Sequence, residues 1–338
     1  MNPSAASPLS ADPAPGGFRP LPVLAPASRR SGRPRFPSWI KARFSENERY
    51  RLVKERLRAH DLHTVCEEAE CPNIGECWAH GTATFMLLGD VCTRGCHFCA
   101  VATGRPEPLD PREPENVAAA IADLELDYAV LTSVDRDDLP DQGAGAFART
   151  IEAIDRRSPG CRVEALVPDF QGERACVERV VATPLFVFAH NVETVPRLYP
   201  RVRPGAVYAR SLRVLEIAKE AAAAAGGPGG ARAGRPPLWT KSSLMLGLGE
   251  TRDELLAVCA DLRRHGVDIL TLGQYLQPTA SQLEVFRFVP PAEFADLGRR
   301  AEALGFRQVV AGPLVRSSYH AWEVVDRIER GSANRGNP

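Results

Sequence analysis

GTATFMLLGDVCTRGCHFCAV, residues 81–101, joins a short apolar run to a cysteine-rich loop. The run Phe85 to Gly89 is β-prone and stops at glycine, the pattern of a buried strand. The loop after it carries Cys92, Cys96 and Cys99 in C-x3-C-x2-C spacing. Further β-prone runs lie at Tyr128 to Val134, Arg162 to Val167, Leu185 to Ala189, Leu238 to Leu246 and Ile269 to Leu276. Between them, apolar residues recur at helical spacing: Val117, Ile121 and Leu124; Phe147, Ile151 and Ile154; Leu255, Cys259 and Leu262; Phe294, Leu297, Ala301 and Leu304. Thr251 and Glu254 form a capping box, and Gly266 and Gly305 stand where left-handed caps end helices. Such alternation builds βα units around a parallel sheet. About six units predict an α/β fold of the partial (β/α)6-type barrel kind, although a doubly wound open sheet gives much the same pattern.

The barrel is expected over 85–312, with N- and C-terminal extensions at 37–84 and 313–338. Residues 1–36, rich in Pro and Ala, bury too little apolar surface to fold alone and read as a flexible tail. An organelle transit peptide is the competing reading, since Arg and Ser are present and Asp12 is the lone acid, but the prolines oppose an amphipathic helix. A helix is expected from Ser45 to about His60, followed by loop through the first cysteines. The low-complexity stretch 221–237, AAAAAGGPGGARAGRPP, reads as a solvent-exposed excursion without a function.

Lys+Arg and Asp+Glu both number 42, so there is no net field to draw in nucleic acid or an anionic membrane. No run approaches the roughly 20 apolar residues of a membrane span, and the N-terminus lacks an apolar signal core; a cytoplasmic protein is expected.

Six of the nine cysteines fall between 66 and 99, as Cys66, Cys71 and Cys77 and then Cys92, Cys96 and Cys99. Disulfides belong mainly to small secreted domains, and structural zinc prefers four ligands, often as two C-x2-C pairs. An iron-sulfur cluster normally takes four thiolates, so a triplet leaves one iron open to another ligand. The second triplet directly follows the first expected strand, at the end of a barrel where active sites gather. Cys161, Cys176 and Cys259 read as ordinary buried cysteines.

C-x3-C-x-aromatic-C, here Cys92, Cys96, Phe98 and Cys99, resembles the radical S-adenosylmethionine (SAM) motif. CEEAECPNIGECW (66–78), LTSVDRDDLPDQGA (131–144), HNVETVPRLYPRVRPGA (190–206), TKSSLMLGLGET (240–251) and GPLVRSSYHA (312–321) narrow the likeness to the lipoyl synthase family. The resemblance runs from about Pro37 to Ala321, and the first triplet with RSSY is its most specific part.

The resemblance implies two [4Fe-4S] clusters. Cys92, Cys96 and Cys99 would hold the one that binds and reductively cleaves SAM, with Phe98 beside the adenine. Cys66, Cys71 and Cys77, with Ser318 of RSSY as an unusual fourth ligand, would hold an auxiliary cluster that donates sulfur. The implied reaction inserts sulfur at C6 and C8 of an octanoyl chain on a lipoyl carrier protein or domain. Reduced ferredoxin or flavodoxin and an iron-sulfur repair protein are the other implied partners. Thr132, Ser133, Asp135, Glu164, Asn191, Lys241 and Gln274, on or beside strand ends, are candidate SAM contacts; a structural hydrogen-bonding role is the alternative for each.

Overall fold

The computed structural model describes residues 36–41, 46–60, 62–68, 71–79, 83–227, 229–319, 321–324 and 326–327. The expected tail, Ser45, His320 and most of the C-terminal extension after Asp326 therefore lie outside the described residues, save Phe36 and Arg327 at their edges. One main sheet organises the chain. Its strands are β1 (His63–Thr64), β2 (Thr84–Leu87), β5 (Tyr128–Ser133), β6 (Arg162–Leu166), β7 (Val187–Ala189), β8 (Trp239–Leu246), β9 (Ile269–Gln274) and β10 (Gln308–Gly312). A separate ribbon pairs β3 (Val91–Cys92) with β4 (Ala102–Thr103). Helices α1 (Glu48–Ala59), α2 (Val65–Glu68) and α3 (Ile74–Ala79) precede β2. The longer connections carry α4 (Glu113–Asp123), α5 (Ala144–Arg157), α6 (Arg174–Val181), α7 (Tyr199–Val202), α8 (Tyr208–Ala225), α9 (Arg252–Arg264) and α10 (Pro291–Ala303).

The main-sheet strands lie side by side in chain order, and every pairing from β2 to β10 is parallel; β1 adds an antiparallel edge. A doubly wound sheet reverses its strand order at a switch point. No reversal occurs here, which decides for the partial barrel. All six expected strands are present, and β10 supplies a seventh parallel one.

Alternate residues separate the two faces. Ala129, Leu131, Val163, Ala165 and Phe188 pack with Ile121, Phe147, Ile151 and Val177 of the helices. Tyr128, Val130 and Val187 face the other way and pack with Ala321 from the C-terminal extension. That extension crosses the inner face closely: a Cβ on Gly273 of β9 would lie 2.0 Å from the Val315 carbonyl oxygen, so glycine is required there. Farther along, Val324 packs against Ile269 and Asp326 pairs with Arg162 at 2.9 Å.

The capping box at Thr251 and Glu254 is formed, and Gly266 and Gly305 have positive φ values. Three expectations are corrected. The first cysteines do not lie wholly in loop: Cys66 is in α2 and Cys77 in α3, helices too short to print a period on the sequence. Their register is fixed by packing, Trp78 being buried against Tyr50 at 5.2 Å between ring centres. The stretch 221–237 is in part the expected exposed excursion between α8 and β8, with two differences. Residues 221–225 continue α8, and buried Arg232 donates to the carbonyls of Val181, Thr183, Leu185 and Pro236, supplying donors where α6 ends. Leu304, at the cap of α10, is 41% exposed rather than part of its buried stripe. Among the described residues, no helix is long and apolar enough to cross a membrane.

Candidate functional site

The loop after β2 is braced from several directions. Arg94, buried within it, makes a two-pronged bond to Asp137 at 2.7 Å on each arm and reaches Asp169 at 2.8 Å. Those aspartates follow β5 and β6, so one guanidinium ties the loop to two neighbouring strand ends. Burial alone would raise the Asp169 carboxyl, but its bond to Arg94 holds it down to about 2. Backbone N–H groups of Arg94 and Asp135 point at the Cys92 sulfur, at 3.4 and 3.3 Å. On the far side, Gln282 donates to the Cys99 carbonyl and Leu283 to that of His97.

Cys92, Cys96 and Cys99 thereby line an open cavity of about 190 Å³ at the C-terminal ends of β2, β5, β6 and β7. Burial, reinforced for Cys92 by the charge of Asp135, pushes each thiol up to about 11. A metal group bound here displaces protons as it enters. Of the candidate SAM contacts, Phe98, Thr132, Ser133, Asp135 and Asn191 line this cavity. Ser133 Oγ and Asn191 Oδ1 are buried there without a protein partner.

Glu164, Lys241 and Gln274 do not line it. Lys241 Nζ binds both Glu164 oxygens at 2.8 and 3.0 Å, and Tyr128 donates to the same carboxylate at 2.7 Å. Gln274 Nε2 donates to the carbonyls of Leu246, Tyr275 and Arg287, while its Oε1 accepts from Val289. These groups spend their polar capacity on the protein, Glu164 and Lys241 within their strands and Gln274 at the end of β9.

Four ionisable residues that line the cavity are not among the candidates marked by the sequence: Arg94, His190, Glu193 and Arg203. All fall inside stretches that carried the family resemblance. His190 is buried, and burial with the nearby Arg203 charge pushes it down to about 4. Its Nδ1 lies 2.9 Å from the Val167 carbonyl, which can only accept, so the neutral ring leaves Nε2 as a bare acceptor; that atom has no protein partner. Glu193 has φ 64°, a strained value away from glycine, and its buried carboxyl accepts from Asn191 Nδ2 at 3.0 Å.

A second, smaller cavity is lined by Cys66, Cys71, Cys77 and Ser318 together with Arg316 and Tyr319. Burial, then the neighbouring Cys71, raises the Cys66 thiol to about 11, and Cys77 rises for the same reasons. Tyr319 donates to Glu76 of α3 at 3.1 Å, fastening the C-terminal segment to the cysteine helix. All nine cysteines are free, and among the described residues no three His, Cys, Asp or Glu side chains close around a single-ion site.

The cavities are neighbours. Val65 lines the first and Cys66 the second; on β2, Met86 lines the first and Thr84 the second. Two residues along a strand span about 7 Å.

The donor sets fit the groups that the sequence suggested: three sulfurs and unpartnered polar atoms around an open space, and three sulfurs with a hydroxyl around a small one. The radical SAM superfamily model matches residues 86–262. The model for the N-terminal domain of lipoyl synthase of the radical SAM family matches residues 25–71. Lipoyl synthase of Rubrobacter xylanophilus is 52% identical over 320 residues, covering 95% of either chain. Lipoyl synthase of Thermus thermophilus is 57% identical over 287 residues, 84% of this chain and 85% of the relative. Among solved structures, methylornithine synthase aligns over 85% of this chain and 89% of its own, at 12% identity and a TM-score of 0.45.

Proposed function

This chain belongs to the lipoyl synthase family of radical SAM enzymes, and from that premise we propose that it inserts sulfur at C6 and C8 of an octanoyl chain carried on a protein. The sulfur source in this reading is an auxiliary [4Fe-4S] cluster held by Cys66, Cys71, Cys77 and Ser318, consumed as a substrate. The observation that carries the reading is the meeting of those four residues in one cavity beside the cavity of the second triplet. Sulfur and radical must act on the same short alkyl chain, and neighbouring cavities meet that need.

When bound through Cys92, Cys96 and Cys99 and reduced from outside, the other [4Fe-4S] cluster supplies the reductive cleavage of SAM that starts hydrogen abstraction. The protein's part is to bind and orient. Phe98 offers an aromatic face to the adenine. Ser133, His190 and Asn191 present unpartnered polar atoms to a polar ligand. Arg94 keeps the loop in register with the strand ends, which limits misplacement of the reacting groups. Ser318 would hold an auxiliary cluster through an oxygen, a harder ligand than thiolate and one more readily given up.

In this organisation 85–312 is the radical-generating barrel, while 37–84 and 313–338 carry the auxiliary ligands. The partners are an octanoylated lipoyl carrier protein or domain, reduced ferredoxin or flavodoxin, and an iron-sulfur repair protein that rebuilds the spent cluster; the setting is cytoplasmic. Cys66→Ala should retain 5′-deoxyadenosine formation and lose lipoyl product, whereas Cys96→Ala should lose both, measured anaerobically by mass spectrometry on an octanoylated carrier peptide. Undiminished lipoyl product from Cys66→Ala would sink the proposal.

A further inference from the structure

Asn73 stands between Cys71 and Cys77 with its side chain only 2% exposed. A carboxamide this deeply buried has donors and an acceptor to satisfy. Nδ2 donates to the Leu314 carbonyl at 2.7 Å, across 241 residues of sequence. A carbonyl only accepts, so this bond fixes which way the amide points. Oδ1 is then left buried without a protein partner, although Asn73 lines the cavity of Cys66, Cys77 and Ser318. An orphaned buried acceptor destabilises the fold, so folding stability alone gives a poor reason for this arrangement.

Leu314 lies four residues before Ser318. The intervening chain is tightly turned, Val315 N–H donating to Gly312 and Tyr319 N–H to Arg316. Fixing Leu314 therefore fixes the approach of Ser318. The second link between the same two segments, Tyr319 to Glu76, lies on the far side of Ser318 and is longer at 3.1 Å.

We propose that Asn73 is a positioning residue of the auxiliary site: through the Leu314 carbonyl it sets Ser318 against the three cysteines, while its Oδ1 provides an acceptor inside the same cavity. The inference rests on reading Ser318 as a cluster ligand.

The test uses the full chain, anaerobically reconstituted. Iron Mössbauer spectra are recorded with Cys92, Cys96 and Cys99 changed to alanine, so that the auxiliary cluster is read alone. Asn73→Asp keeps the size of the side chain but replaces the donor with an oxygen; Ser318→Ala is the reference. Both variants should lose the signature of an oxygen-ligated iron. In chains that retain the second triplet, Asn73→Asp should lower lipoyl product about tenfold to a hundredfold while 5′-deoxyadenosine stays within about twofold. A spectrum for Asn73→Asp like that of the parent, with Ser318→Ala altered, overturns the inference. An unaltered Ser318→Ala spectrum instead overturns the serine-ligand reading, and the inference falls with it. If Asn73→Asp also loses 5′-deoxyadenosine, Asn73→Gln decides: it keeps an N–H donor, so recovery of the signature supports the inference and continued absence with cleavage intact overturns it.

Discussion

The two cysteine triplets sit side by side but are built in opposite ways. Cys92, Cys96 and Cys99 come from eight consecutive residues, braced by Arg94 against the ends of β5 and β6. The other site is assembled from Cys66 and Cys77 on two short helices, from Cys71 between those helices, and from Ser318, some 240 residues later in the sequence. The first site is held by strands, the second by two segments holding each other. Damage to the barrel should therefore reach the first site directly, whereas loosening the terminal segments should reach only the second.

The strongest way to break this contrast is Arg94→Met. It leaves the fully buried Asp169 with the weaker Arg210 contact at 3.2 Å, and it frees the loop from Asp137. Removing one partner of a buried pair costs about 3–5 kcal/mol. Urea unfolding should show that loss, and 5′-deoxyadenosine formation should fall about a hundredfold or more as the loop loses its register. Iron bound by Cys66, Cys71 and Cys77 should persist; its loss would mean that the sites are not independently built.

Asp326→Asn comes next. Its ion pair with Arg162 is about one-quarter exposed on each side, so the stability cost is near 1 kcal/mol. Lipoyl product should fall about fivefold, with SAM cleavage unchanged, because a cost of 1 kcal/mol shifts a local equilibrium by about that factor. A matching fall in both products would contradict the division.

The smallest effect is expected of Tyr319→Phe, which removes one partly buried hydrogen bond to Glu76, worth about 1 kcal/mol or less after solvation. It should lower lipoyl product by no more than about fivefold at saturating carrier, leaving 5′-deoxyadenosine untouched, and so calibrate how much of the clamp lies on that side of Ser318.

The same contrast explains what could be read in the sequence. The local triplet was legible because its spacing is contiguous, and the strands before and after it because parallel strands buried on both faces form nearly continuous apolar runs. β10 was not marked out, since Gln308–Gly312 is short and includes a polar residue and a glycine. Strand alternation tells which face a residue takes but not how deep it sits. Leu166 lines the larger cavity, while Glu164, two residues earlier on β6, lies below it and pairs with Lys241. Ser318 was visible only through the family likeness: nothing in the local spacing of RSSY says that it will meet cysteines some 240 residues away. Arg94 was in plain view between two cysteines, but its aspartate partners are distant in sequence.

The passage of Val315 over Gly273 also imposes an order on synthesis. A ribosome delivers α2 and α3 before the barrel strands and the segment carrying Ser318 only after β9, the strand on which it lies, and β10 have emerged. Strands can pair in turn as they appear, yet the smaller cavity stays without its fourth wall until the segment after β10 has emerged. Under the proposed function, an auxiliary cluster would gain its fourth ligand only after that step, and a chain cut short after β10 would keep Cys92, Cys96 and Cys99 but lack Ser318.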